Sequence, residues 1–257
     1  PAGFSIGRKC MTMSAIFSTP DQMAIIRRVL RSYLRLPFST DAVPGAFMEA
    51  VLAHVRDGEV LATYDYVDVI NRQQRVGWSI KSTKDSTPLT WKRAKIANKI
   101  SLIAESVNSE AGIQALGDEI IRFCNKHAHE SMEKYNLNSI GFGRLIVQKN
   151  GIVRYFEREL CDVNRPNIFD ASDFTWKWSV QKRGGKKEQL PALHGFHIPT
   201  DKRWWAWHGH GENQLHFTGE KAAWWPPEGD PHTISFNFPS VNDRLSLERL
   251  AELLEEM

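Results

Sequence analysis

The chain has 257 residues, 42% apolar and 25% charged, with a formal net charge of +3 at pH 7. That balance suits an ordinary soluble globular protein of one large domain or two small ones, and it excludes collagen-like and low-complexity classes. No apolar run approaches the length that spans a bilayer, so no membrane association is expected.

The opening stretch does not read as a signal peptide, and Met11 and Met13 are both candidate initiators. Gln22–Leu34 carries apolar residues at helical spacing, with Asp21 as a capping candidate. A second helix is expected from Gly45 to Arg56, its stripe formed by Phe47, Ala50, Val51 and Val55, with Glu49 beside it. Tyr64–Ile70 and Val76–Lys81 then read as two strands joined by the polar turn Asn71–Arg75. Side chains alternate along a strand, so Asp68 shares a face with Tyr66 and Ile70, and Ser79 shares one with Lys81. An acid and a lysine on neighbouring strands can meet beside the sheet, which suits a hydrolytic Mg²⁺ site acting on a phosphodiester.

Beyond Lys84 a helix is expected from Trp91 to about Val107, with Ile96, Ile100, Ile103, Ala104 and Val107 on its buried face. Lys92, Arg93, Lys95 and Lys99 would crowd its first half, against the helix dipole, which points to a partner that brings negative charge. Another helix follows over about Ala111–Tyr135, broken at Asn136–Asn138; His127 and His129, two apart on it, would point to different faces. Ile140–Gln148 and Ile152–Leu160 are strands around Lys149-Asn150-Gly151, where Asn-Gly suggests a type I′ hairpin turn.

From Phe174 to Phe238 the chain holds Trp176, Trp178, Trp204, Trp205, Trp207, Trp224 and Trp225 with little helical periodicity, and it reads as short strands and loops. Phe174–Gln181 is a plausible strand, followed by a basic turn of Lys182, Arg183, Lys186 and Lys187 around two glycines, able to grip phosphates or enter a DNA groove. Leu245–Leu254 closes the chain as an amphipathic helix. The cysteines Cys10, Cys124 and Cys161 are scattered without metal spacing and suit reduced thiols in a cytosolic protein. There is no Walker loop, GxSxG elbow or internal repeat.

Asp68, a short gap and Ser79-Ile80-Lys81 resemble the PD-(D/E)xK motif of the nuclease superfamily that includes most type II restriction endonucleases. Gly45-Ala46-Phe47-Met48-Glu49 resembles the helix before the first core strand, where many members place a further acid. The resemblance spans roughly residues 45 to 105. Val67 stands where the motif has proline, and Ser79 where it has its second acid. Some members carry serine there and take a carboxylate from a nearby helix; Glu49 is the first candidate here, with Asp85 and Glu105 behind it.

The resemblance implies an α/β fold, a mixed central sheet flanked by helices, over residues 14–165, with a β- and loop-rich, Trp-rich part at 166–257 packed on it for DNA recognition. It implies a Mg²⁺-dependent, sequence-specific endonuclease of the bacterial cytoplasm that cuts double-stranded DNA to leave 5′-phosphates, commonly as a homodimer. Asp68 would bind the ion with the Ile80 carbonyl and Glu49, Lys81 would position water, and Ser79 would play a minor part. Lys84, Lys92, Arg93, Lys95, Lys182, Arg183, Lys186 and Lys187 would contact DNA. Two other readings stand beside it. One is a DNA-binding module without catalysis. The other is a cupin-like metal-dependent oxygenase, because His208-Gly209-His210 and Glu228-Gly229-Asp230-Pro231-His232 resemble halves of a cupin motif; His208, Asn213 and His216 resemble an HNH nuclease only loosely.

Overall fold

The computed structural model describes residues 15–256, apart from 41, 64, 85–87, 181–189 and 219–224. Cys10, Met11, Met13, Asp85, Trp224 and the basic-turn residues Lys182, Arg183, Lys186 and Lys187 therefore lie outside the described residues.

The chain opens with α1 (Pro20–Leu34) and α2 (Gly45–Val55). Thr19, not Asp21, caps α1: its hydroxyl accepts from the Gln22 N–H while the Gln22 side chain accepts from the Thr19 N–H. Four strands follow, β1 (Glu59–Val60), β2 (Val69–Asn71), β3 (Val76–Lys84) and β4 (Leu89–Arg93), and then helices α3 (Lys99–Asn108) and α4 (Glu110–Tyr135). The hairpin β5 (Ser139–Val147) and β6 (Ile152–Asp162) comes next, then β7 (Phe174–Trp178), β8 (Leu193–His197), β9 (Lys202–Trp207), β10 (Gln214–Phe217), β11 (Thr233–Asn237) and α5 (Leu247–Glu255).

The expected mixed α/β architecture is present. A six-stranded sheet runs β1-β2-β3-β5-β6-β11, and a five-stranded one runs β4-β10-β9-β8-β7. β3 and β5 are parallel, joined by a crossover through β4, α3 and α4; the other paired strands are antiparallel. Alternation on β3 sends Val76, Trp78 and Ile80 into a core with Met23, Ile26 and Leu30 of α1 and Met48 and Leu52 of α2. The opposite face, with Ile70, Ile140 and Phe142, packs against Leu116, Ile120 and Cys124 of α4 and against Trp205, Trp207 and Phe217 of the second sheet. Gly117 marks how closely that second sheet seats: a Cβ there would lie 2.2 Å from the Trp176 ring.

Several expectations need correction. The helix expected from Trp91 begins only at Lys99, because Leu89 and Trp91 alternate with exposed Thr90 as a strand that pairs with β10. Lys92, Arg93 and Lys95 therefore do not crowd a helix N-terminus, and the dipole argument fails for them. The buried face of α3 also differs: Ile100 and Val107 are 83% and 72% exposed, and Ser106 is buried. The first strand of the central hairpin is shorter than expected, Val69–Asn71, so Asp68 precedes it and Tyr66 and Val67 pack into the core outside a strand. At the β5–β6 turn only Gly151 takes a positive φ (80°), and its N–H closes on the Gln148 carbonyl at 3.0 Å. That is a longer hairpin loop and not type I′, which needs two positive φ angles.

The boundary expected between 165 and 166 is crossed by strand exchange: β4 joins the second sheet, and β11 returns to pair with β6 in the first. No helix among the described residues is long and apolar enough to cross a membrane.

Candidate active site at the open edge of the central strand

β3 is nine residues long and β2 only three, so beyond Trp78 the strand has no ladder partner on its β2 side among the described residues. Asp68 fills the first gap. Its own N–H donates to the Trp78 carbonyl at 2.8 Å and its carbonyl accepts from the Leu61 N–H at 2.9 Å, which locks the backbone on both sides. Its carboxylate then reaches over the end of the ladder. Oδ2 accepts from the Ile80 N–H at 2.6 Å, the Lys81 ammonium at 3.2 Å and, at the long end, the Ser79 hydroxyl at 3.3 Å. Oδ1 accepts no hydrogen bond among the described residues.

Both backbone groups of one strand residue point to the same edge. The Ile80 carbonyl therefore faces the same open side as the N–H that Asp68 engages. Ser79 is buried, while Lys81 and Asp68 are each about one-fifth exposed at the side chain (23% and 22%), so solvent reaches the pair.

Glu49 enters from the opposite layer, on half-buried α2. Its carboxyl is held above the usual carboxylate value first by burial and then by the charge of Asp68, with Lys81 opposing. The acid is thus within the field of both residues. Lys92 joins from β4: its ammonium donates to the Asp65 carbonyl at 2.6 Å and is pushed down to about 8, first by burial and then by the charge of Lys81. Asp65 is itself pinned. Burial works against its ionisation, yet hydrogen bonds from Lys134, Thr63 and Tyr135 hold its carboxyl well below the usual range.

Behind the site lies a residue that periodicity could not single out. Arg144 is in register with Lys81 on the parallel neighbour β5, is 1% exposed, and donates to the Thr83 hydroxyl at 2.6 Å and the Leu145 carbonyl at 3.1 Å. Its only sequence signal is a charge inside an otherwise apolar strand.

The remaining expected residues are dispersed. Glu105 is exposed on α3 and accepts from Ser101 of its own helix. Lys84 ends β3, Lys95 is exposed, and Arg93 pairs with Glu212 at 3.3 Å on the surface.

Asp68 Oδ1, the Glu49 carboxylate and the Ile80 carbonyl are hard oxygen donors of the kind Mg²⁺ takes alongside water. The charge of Asp68 adds to burial in raising the Glu49 carboxyl, and a carboxyl placed beside a second negative charge suits a cation nearby. The residues present therefore fit Mg²⁺, although the described residues contain no group of three His, Cys, Asp or Glu able to hold a metal ion.

The histidine motifs of the second half do not assemble into the cupin arrangement. His208 meets His216, His210 meets Trp178, and His232 stacks on Phe17 near the first sheet. Asn213 of the loose HNH pattern accepts from Lys99.

No protein-family model, curated protein or solved structure matches this chain.

Proposed function

We propose that this chain is a Mg²⁺-dependent endonuclease that hydrolyses phosphodiester bonds of double-stranded DNA. In its most specific form it is a type II restriction enzyme, acting as a homodimer and leaving 5′-phosphates. The observation that carries the reading is the meeting of Asp68, the Ile80 backbone and Lys81 at the open edge of β3, with Glu49 drawn into the same field.

Asp68, Glu49 and the Ile80 carbonyl would hold the ion. When bound, Mg²⁺ supplies Lewis-acid stabilisation of charge on the phosphoryl oxygens and acidifies a water. Lys81 leaves Asp68 to orient the attacking water and offset phosphoryl charge. Freeing it is cheap, since a solvent-reached ion pair contributes about 1 kcal/mol or less. Water adds to phosphorus and gives up a proton to solvent, the bond from phosphorus to the 3′-oxygen breaks, and that oxygen takes up a proton from solvent. The products are a 3′-hydroxyl and a 5′-phosphate. Lys92 adds positive potential beside the reacting group, and Arg144 holds the strand behind Lys81.

The test is digestion of supercoiled plasmid by the full chain with and without Mg²⁺, alongside Lys81→Ala. The expected result is discrete Mg²⁺-dependent fragments, with the variant losing cleavage by about 10²- to 10⁴-fold while retaining most of its DNA affinity. Plasmid left intact in Mg²⁺, or a folded Lys81→Ala protein that cuts at the parental rate, overturns the assignment.

A further inference from the structure

The outer face of the second sheet carries a cluster the proposed reaction does not use. Register places Lys177 on β7, His194 on β8, Ala206 on β9, His216 on β10 and Thr90 on β4 in one row across all five strands. Neighbouring strands lie about 4.8 Å apart, so the two histidine backbones stand about 10 Å apart with only a methyl group between them. The result is a hollow floored by Ala206. His208 stands two residues further along, where the strand pairing continues through its N–H to the Gln214 carbonyl at 2.9 Å. Its ring meets that of His216 edge-on, with centroids 4.9 Å apart. Adjoining clefts of about 520 and 210 Å³ share His194, Arg203 and His208 in their walls.

We propose that this hollow is a phosphate-binding site, in which His194, His208, His216 and Arg203 receive the phosphate group of a nucleotide or of a nucleic-acid backbone. The proposal does not rest on the nuclease reading.

The charge lining decides between ligand classes. Among the described residues neither cleft is lined by an aspartate or glutamate; every ionisable lining group is His or Arg. From the surrounding elements, Lys177 lies over Phe196 at 4.2 Å, His210 packs on Trp178, and Gln214 meets His216 at 3.2 Å. Glu212, in the β9–β10 turn, is taken up by Arg93 and Gln214. A cation would meet Arg203 and Lys177 with nothing to offset them. The histidines also fail to form a three-ligand metal group.

An oxyanion meets donors throughout, and Arg with protonated His forms charge-assisted hydrogen bonds to phosphate. Burial holds all three histidines below their usual value. Arg203, His208 and Lys177 depress His194 further, and His208 does the same to His216. A bound anion relieves that repulsion, so binding takes up protons and tightens as pH falls.

Ring-proton NMR of the full chain tests this, using sulfate, whose charge is fixed across the range, and inorganic phosphate at constant ionic strength. The expected result is a saturable shift of the His194, His208 and His216 signals and a rise in their titration midpoints, with exposed His129 unmoved. Sulfate affinity should fall about tenfold per pH unit, above the histidine midpoints, for each proton taken up. Arg203→Gln and His194→Gln should each weaken binding by about tenfold, the loss of one charge-assisted contact.

A 5′-mononucleotide and a double-stranded oligonucleotide, compared at equal phosphate concentration, separate the sources: the tighter probe names the free or the polymeric ligand. Absence of saturable shifts at pH 6 with every probe, or equal shifts at His129, overturns the proposal. A protein that binds these anions but cuts no DNA retains this site and loses only the nuclease reading.

Discussion

Asp68→Asn separates the chemistry proposed for the β3 edge from the support Asp68 gives the fold. Asparagine keeps a carbonyl oxygen where Oδ2 accepts from the Ile80 N–H at 2.6 Å, but it removes the charge. A hydrogen bond to a charged group contributes about 1.5–3 kcal/mol and a neutral one about 0.5–1.5, so this contact loses about 1–1.5 kcal/mol. The pair with Lys81 adds about 1 kcal/mol at most, because solvent reaches both side chains. The total, about 1–2.5 kcal/mol, is small beside a domain stability of about 5–15 kcal/mol, and the variant should remain folded. Loss of an ion-holding carboxylate should instead remove about 4 kcal/mol of transition-state stabilisation, roughly a thousandfold in rate. Urea denaturation gives the first number, and plasmid cleavage in saturating Mg²⁺ gives the second. A folded Asp68→Asn protein cutting within about tenfold of the parent refutes the catalytic role. A stability loss beyond about 4 kcal/mol refutes the structural arithmetic and makes Asp68 a strand cap first.

Glu157, 6% exposed, accepts from the Ser18 N–H and hydroxyl and from the Tyr155 hydroxyl, in the field of buried Arg56. Glu157→Ala leaves those donors buried without their acceptor and should cost about 3–5 kcal/mol in urea unfolding; a loss under about 1 kcal/mol would show that the network relaxes freely. Lys92 sets a pH dependence. Its folded value is about 8 against an ordinary 10.5, so between these the unfolded chain binds the extra proton and stability rises with pH. Wild type should therefore gain on Lys92→Met as pH climbs through that window, and a flat difference would place Lys92 outside the buried field of the site.

Much of the architecture is legible in the sequence. α1 and α4 show an apolar face at helical spacing, α2 a shorter one, and the β5–β6 hairpin two strand-like runs around a turn, and their observed ends fall within a few residues of the expected ones. Alternation across a hairpin is the sequence reason to expect Asp68 and Lys81 together; the structure brings them within 3.2 Å by another route, Asp68 preceding its strand and reaching over the end of the ladder. What misled was local ambiguity. Trp91 to Val107 has lysines, alanines and isoleucines at spacings that suit a helix. Partner strand β10 lies more than 120 residues further on, and its pairing decides that the first part is extended. Ser79 reads as a gap in a motif, whereas the structure gives it a weak contact to Asp68 and burial. The Ser18–Glu157 clasp joins residues 139 apart and has no local signature at all.

The exchange of β4 and β11 between the two sheets also sets the order in which the chain can mature. β4 must wait for residues 214–217 and β6 for residues 233–237, so during synthesis both present unpaired edges until most of the chain has emerged. Closing such long loops precedes any reward from the contacts they make, which slows folding and lengthens the exposure of strand edges that pair with any neighbour. A ribosome-stalled fragment ending near residue 165 would hold the Asp68–Lys81 hairpin in sequence yet lack the strands that cover it. In such a fragment the face with Ile70, Ile140 and Phe142 would lack the Trp205, Trp207 and Phe217 side chains that pack with it in the finished fold.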